Sequence, residues 1–181
     1  MNFVQPIKEI NTIKAIAKYL KEKNERDYIM FLMGIYSGLR ISDILSLKVK
    51  DVQDGNISIK EKKTGKSKKF KQNPVLKQEV KKYIEGKQPD DYLIQSRNGF
   101  NRPISRSRAY MILQDVANKF KIGSFGTHSL RKTFGYHCYE QKKDLAILQE
   151  IFNHSRIEYT LRYIGIVQET IDSAIEDIRI L

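Results

Sequence analysis

The sequence predicts an α+β domain, mostly helical, with one small three-stranded antiparallel sheet. Three observations predict it. Apolar residues recur at helical spacing through most of the chain, whereas alternation of apolar and polar residues is confined to a stretch near residue 57. The 181 residues, 40% hydrophobic, show no internal repeat and no low-complexity linker, which suits a single domain spanning 1–181 with one core.

The elements follow in order. Ile7 to Lys23 carries Ile10, Ile13, Ala17 and Leu20 on one face, and Asp27 to Ser37 is apolar nearly all round, as a buried helix is. Gly38 supplies the stop. Asp54-Gly55 signals a tight turn, and Ile57 and Ile59 alternate with polar residues, so 56–61 reads as a strand. Lys62 to Ser67, with Gly65, is the turn that returns a second strand over Lys68 to Gln72, and a third short strand is expected at Tyr92 to Gln95. Helices are expected at 75–86, 106–120, 128–141, 144–152, 156–164 and 167–178.

Lys and Arg number 33 against 21 Asp and Glu, a net charge of +12. With this much apolar surface the chain is not disordered, and the charge points to a polyanionic partner. The single cysteine, Cys138, excludes an internal disulfide framework and a Cys-based zinc site, and suits a reducing compartment. The longest apolar stretch, Tyr28 to Tyr36, is too short to cross a bilayer, and no basic-then-apolar leader opens the chain, so a soluble intracellular protein is expected. The charge is uneven. Lys60 to Lys71 holds seven lysines and one acid, and Arg97, Arg102, Arg106 and Arg108 form a second group. From Gly165 onward the sign reverses: Glu169, Asp172, Glu176 and Asp177 back an apolar stripe of Val167, Ile171, Ala174, Ile175 and Ile178. Such a segment is either a docking helix, on its own domain or a neighbouring subunit, or an ordinary core helix.

Four clusters carry chemistry, and each has an ordinary alternative. Arg40 follows the Gly38 stop, with Asp43 one helical turn on to orient its guanidinium; a surface ion pair has the same spacing. Lys62-Lys63-Thr64-Gly65-Lys66 forms a hairpin tip that either enters a DNA groove or is simply solvated. Thr127 is a fair N-cap for a helix that places His128 and Arg131 on one face, suited to a phosphate oxyanion, though His-x-x-Arg is frequent by chance. Asn153 can take the left-handed conformation, Ser155 and Glu158 form a capping box, and the next helix projects Arg156, Tyr159 or Thr160, and Tyr163 from one face. His154 then sits at a helix-to-helix corner, while His137 has no such setting and reads as packing or surface.

The order Arg40, Lys63, His128-x-x-Arg131, His154, Tyr163 resembles the catalytic domain of the tyrosine recombinases, the phage integrase and Xer family. So do the intervals of 26 residues from His128 to His154 and nine from His154 to Tyr163. The resemblance runs from about Ile7 to the C-terminal helix. Asn153 stands where the family more often has glycine, and Lys132 where histidine is frequent.

The resemblance implies that the Tyr163 hydroxyl attacks a DNA phosphorus and forms a 3′-phosphotyrosyl link while a 5′-hydroxyl leaves, conserving bond energy so that ATP is not needed. Arg40 and Arg131 would hold the non-bridging oxygens, Lys63 would protonate the leaving oxygen, His128 would act as acid or base for the nucleophile, and His154 would hydrogen-bond the phosphate. No divalent metal or other cofactor is implied. Lys62, Lys66, Lys68, Lys69, Arg106 and Arg108 are the expected DNA contacts. Double-stranded DNA is the partner, with self-association in a synapse through the C-terminal segment and no membrane. The location implied is the bacterial cytoplasm, at the nucleoid when bound. Family members usually carry an N-terminal DNA-clamping domain that is absent here, so the chain reads as a fragment or a short stand-alone protein with weak, poorly discriminating DNA binding. Two other readings share part of this pattern, a type IB topoisomerase-like relaxase and a non-catalytic DNA-binding module.

Overall fold

A computed structural model describes residues 4–63, 65–165 and 175–178. Helices α1 (Ile10–Lys23), α2 (Glu25–Ser37) and the single turn α3 (Ile41–Ile44) lead through a 3-10 turn at Val49–Asp51 to strands β1 (Asn56–Lys60) and β2 (Ser67–Lys71). Then follow α4 (Pro74–Tyr83), α5 (Arg106–Phe120), α6 (Thr127–Lys142), α7 (Leu145–Phe152) and α8 (Ile157–Ile164). Most of the expected helix over 167–178 lies outside the described residues. Among the described residues no helix is long and apolar enough to cross a membrane.

The near-continuous apolar run of α2 makes it the central helix. Tyr28 through Met33 are all buried, and α1, α3, α4 and α6 pack around it. Asn24 caps its start by accepting from the Asp27 backbone N–H, and Gly38 ends it at φ 63°. Helix α6 crosses α2 so closely that a Cβ on Gly34 would stand 2.6 Å from Leu130.

The hairpin pairs Asn56 with Lys71 through Lys60 with Ser67, which puts Ile57 and Ile59 on the core and three of the β2 side chains outward. Among the described residues the sheet has two strands, not the expected three. In the segment 92–95, Leu93 and Ile94 are both fully buried, so alternation is lost. Asn101 takes the Tyr92 N–H into its side chain, leaving only isolated bridges of Tyr92 to Lys48 and Gln95 to Pro103.

Two helix starts also differ from expectation. Helix α6 is entered from Gly126, whose N–H donates to Ser129 Oγ at 3.0 Å, so Thr127 is the first helical residue and not the cap. Helix α8 is entered from Arg156 with no side-chain cap, so the Ser155–Glu158 box does not form.

The apolar interior divides in two. The main core joins α1 to α5, the hairpin and Leu130 of α6. A small second cluster, Leu148, Phe152 and Ile164 with Phe134, Tyr136, Tyr139 and Tyr163 against it, belongs to α6, α7 and α8. Gly135 makes the second possible, because a Cβ there would meet Ile164 at 2.6 Å and Phe152 at 2.8 Å.

Candidate active site

Arg40 stands at the entry of α3, just past the end of α2, with its side chain mostly buried. Its Nη1 lies 4.0 Å from the fully buried Asp43 carboxylate, an ion-pair distance without a hydrogen bond. Asp43 also accepts from the Lys62 N–H at 3.0 Å and so fixes the root of the hairpin tip. A second acid was not anticipated. Glu61, 1% exposed, lies 3.6 Å from Arg40 Nη1 and 3.1 Å from Lys68 Nζ. The signal was present: Glu61 continues the inward alternation of Ile57 and Ile59, so its side chain falls on the buried face.

Helix α6 supplies His128 and Arg131. Arg131 is 3% exposed and spans both apolar clusters, donating Nη1 to the Gly38 carbonyl and Nη2 to the Phe152 carbonyl at 3.0 Å. Its guanidinium carbon lies 4.4 Å from the Phe152 ring centroid. Burial pushes its pKa down to about 10, so it stays cationic at neutral pH.

At the α7–α8 corner Asn153 adopts φ 53°, the left-handed conformation the sequence suggests. His154 follows, its N–H donating to Gln149 O and its Nδ1 3.0 Å from the buried Thr160 hydroxyl. Thr160 therefore braces the histidine, and Tyr159 takes the exposed side of α8. Tyr163 packs edge-on to Phe152 and His154, with Lys132 Nζ 5.3 Å from its ring centroid. Its hydroxyl lies 3.5 Å from His128 Nδ1.

Burial pushes the Tyr163 pKa up while Arg131 and Arg40 pull against it. Both site histidines are held below the ordinary imidazole range, His128 by burial and then Arg131, Lys132, Arg106 and Arg40, and His154 by burial and then Arg131, Arg40 and Lys63. Each is thus neutral at pH 7, and a neutral imidazole facing the Tyr163 hydroxyl can accept its proton.

These parts meet in one cavity of about 410 Å³, lined by Arg40, Lys63, His128, Arg131, His154 and Tyr163, with Tyr159 at its edge. A neighbouring cavity of about 520 Å³ shares Arg40, Lys63, His128 and Arg131 and adds Lys62 and Arg106. A larger groove of about 620 Å³ between β2 and the α6–α7 region mixes apolar side chains such as Leu39, Phe70, Phe134 and Ile151 with polar and charged ones, and shares none of the six.

The candidate DNA contacts separate by position. Lys62 and Arg106 are exposed at the rim, and Arg108 is exposed beyond it. Lys66 donates to Asn153 Oδ1 at 3.1 Å. Lys68 turns inward, to Glu61 and to the Ile151 carbonyl at 2.9 Å. Lys69 is exposed and 3.4 Å from Asp54.

The sequence profile of the phage integrase family matches residues 6–169. The chain belongs to the phage integrase family. It is 46% identical over 175 residues to the probable integrase/recombinase YoeC of Bacillus subtilis (strain 168), covering 96% of both chains. It is 26% identical over 173 residues to the tyrosine recombinase XerA of Pyrococcus furiosus, covering 93% of this chain but 60% of that longer relative. A crystal structure of XerA recombinase superposes with a TM-score of 0.78 at 19% identity, over 98% of this chain and 68% of that one, which shows the shared fold. This integrase-family chain places its six motif residues, drawn from α2–α3, the hairpin, α6 and the α7–α8 corner, around one cavity.

Proposed function

We propose that the chain cuts and rejoins double-stranded DNA as a site-specific recombinase, through a 3′-phosphotyrosyl link on Tyr163. The observation that carries this reading is the convergence of three cations, two neutral imidazoles and a tyrosine hydroxyl on one cavity.

The Tyr163 oxygen attacks phosphorus as its proton passes to His128 Nδ1, across a 3.5 Å separation that shortens as substrate binds. Arg131 and Arg40 hold the two non-bridging oxygens, whose charge grows in the transition state. Arg131 is preorganised, since two backbone carbonyls and the Phe152 ring fix its plane before DNA arrives. His154 donates a hydrogen bond to the same phosphate, its other nitrogen being engaged by Thr160. Lys63 gives a proton to the departing 5′-oxygen. The bond energy stays in the phosphotyrosine, so reversal by another 5′-hydroxyl completes exchange without ATP, and side-chain cations supply the charge that a metal ion would otherwise provide.

Lys62, Lys69, Arg106 and Arg108 suit contact with flanking phosphates, whereas Lys66 and Lys68 brace the hairpin against α7. For the C-terminal segment the reading is a docking element for a second copy on DNA, supported by Ile175 and Ile178, exposed at 63% and 59%.

The test is covalent trapping on nicked suicide duplexes across candidate sites. The wild-type chain forms a denaturant-resistant adduct, and Tyr163→Phe forms none while binding DNA with unchanged affinity. An adduct that persists in Tyr163→Phe contradicts the assignment and turns attention to Tyr159.

A further inference from the structure

Glu61 is the one acid in the lysine-rich stretch from Lys60 to Lys71, and its side chain is almost wholly buried. Its carboxylate touches two cations that lead in different directions. Arg40 Nη1 lies at 3.6 Å, toward the phosphate, and Lys68 Nζ at 3.1 Å. Lys68 in turn donates to the Ile151 carbonyl in the last turn of α7, three residues before His154. One line of contacts thus runs from the phosphate arginine through the hairpin to the corner that carries His154.

A carboxylate beside a phosphate site opposes the charge of the substrate, and a buried ion pair adds little stability over apolar packing of the same volume. What this arrangement supplies is geometry. Asp43 fixes the hairpin only at the Lys62 backbone, and reaches Arg40 from 4.0 Å. Glu61 makes the closer approach to Arg40 and alone reaches Lys68.

We propose that Glu61 is a positioning residue for strand cleavage, fixing the Arg40 guanidinium against the scissile phosphate and, through Lys68, tying the hairpin that carries Lys63 to the α7–α8 corner. This rests on the strand-transfer reading. It has two arms that chemistry can separate. A fault in Arg40 is a fault in charge neutralisation, relieved when the scissile group is a methylphosphonate, which has lost one anionic oxygen. A fault in Lys63 is a fault in proton donation, relieved when the leaving atom is sulfur, which departs without a proton.

Single-turnover cleavage is therefore measured for Glu61→Gln and Lys68→Met on suicide duplexes carrying an ordinary phosphate, a methylphosphonate or a 5′-bridging phosphorothiolate. Glu61→Gln slows cleavage of the ordinary phosphate by on the order of 10²-fold, the scale of a small misplacement. Each altered substrate recovers part of that loss. Lys68→Met gives a smaller loss that only the phosphorothiolate recovers. Wild-type rates for Glu61→Gln on the ordinary phosphate, or slowing of both variants by the same factor on all three substrates, overturn the proposal. If Glu61→Gln does not fold, Lys68→Met decides: sulfur-specific recovery supports the tie, and uniform slowing or no effect overturns it. Absence of any wild-type tyrosine adduct on the three substrates removes the strand-transfer reading and this proposal together, whereas an adduct with uniform variant effects removes the proposal alone.

Discussion

The two apolar clusters divide the labour of the site. The main core, built around α2, holds Arg40 at its edge and the root of the lysine hairpin through Asp43. The small α6–α7–α8 cluster carries Tyr163, with His154 against its Phe152, and among the described residues its fully buried set is Leu148, Phe152 and Ile164. On the proposed mechanism Arg40 is rooted in the better-packed region and Arg131 in both, whereas His154 and the proposed nucleophile Tyr163 stand on the smaller one, which has less buried surface among the described residues to resist motion. On that reading, a tyrosine that attacks, stays linked to DNA and then releases it is well served by a helix with less packing beneath it than the Arg40 side of the site has. Arg131 is the side chain that belongs to both regions, since it bonds the end of α2 and the end of α7.

Breaking that shared side chain has the largest effect. Arg131→Lys keeps a charge but cannot hold both carbonyls and the phosphate, and leaves buried acceptors without a donor. Cleavage in a single-turnover assay falls by about 10²- to 10³-fold, the cost of losing a transition-state donor, and the melting temperature falls with it.

The glycines separate the regions. Gly34→Ala overpacks the α2–α6 crossing against Leu130 and costs about 1–3 kcal/mol in chemical denaturation, a loss to the whole fold. Gly135→Ala presses instead on Ile164 and Phe152, so it displaces α8 and lowers cleavage while DNA affinity in a binding titration stays near wild type. Equal effects of the two substitutions on binding and cleavage would argue against separate regions.

Acid sharpens the contrast further. His128 and His154 both have lowered pKa values in the fold, so the unfolded chain takes up their protons more readily. Stability from these groups is present above the ordinary histidine value of about 6.5 and is lost as pH falls below it. Cleavage is expected to follow the same direction, with an acid limb lying below about pH 6.5, because on the proposed mechanism His128 must be neutral to accept the tyrosine proton. A pH–rate profile from 5 to 8 checks this, and a limb above the ordinary value contradicts it.

The smallest effect is at the periphery. Lys69→Ala reduces the slope of log binding constant against log salt by about one if that side chain exchanges Asp54 for a phosphate. An unchanged slope puts Lys69 outside the interface.

Much of this was legible in the sequence, for physical reasons. Helices α2, α5, α6 and α7 declare themselves by apolar period and by stops such as Gly38 and Asn153, which need left-handed backbone. The six candidate site residues stand out in the sequence by their order and intervals, and the fold brings them to one cavity. Tertiary contacts decided the rest. The apparent strand at 92–95 is a buried connection because Asn101 captures its backbone, and the single turn α3 is too short to show a period. Ser155 and Glu158 have the spacing of a capping box, yet His154 and Thr160 settle the entry of α8 instead. Lys68 reads as one more cation for DNA and is turned inward by Glu61, whose place on the buried strand face is the part of the site that charge counting hides.

The most direct test of the account uses a convenient trypsin boundary, since Arg162 separates the two tyrosines of α8. The wild-type adduct trapped on a suicide duplex is digested with nuclease and trypsin, and the peptide carrying residual nucleotide is identified by mass spectrometry. The added mass is expected on the peptide from Tyr163 to Arg179. Nucleotide on the peptide from Ile157 to Arg162, which contains Tyr159, would contradict it.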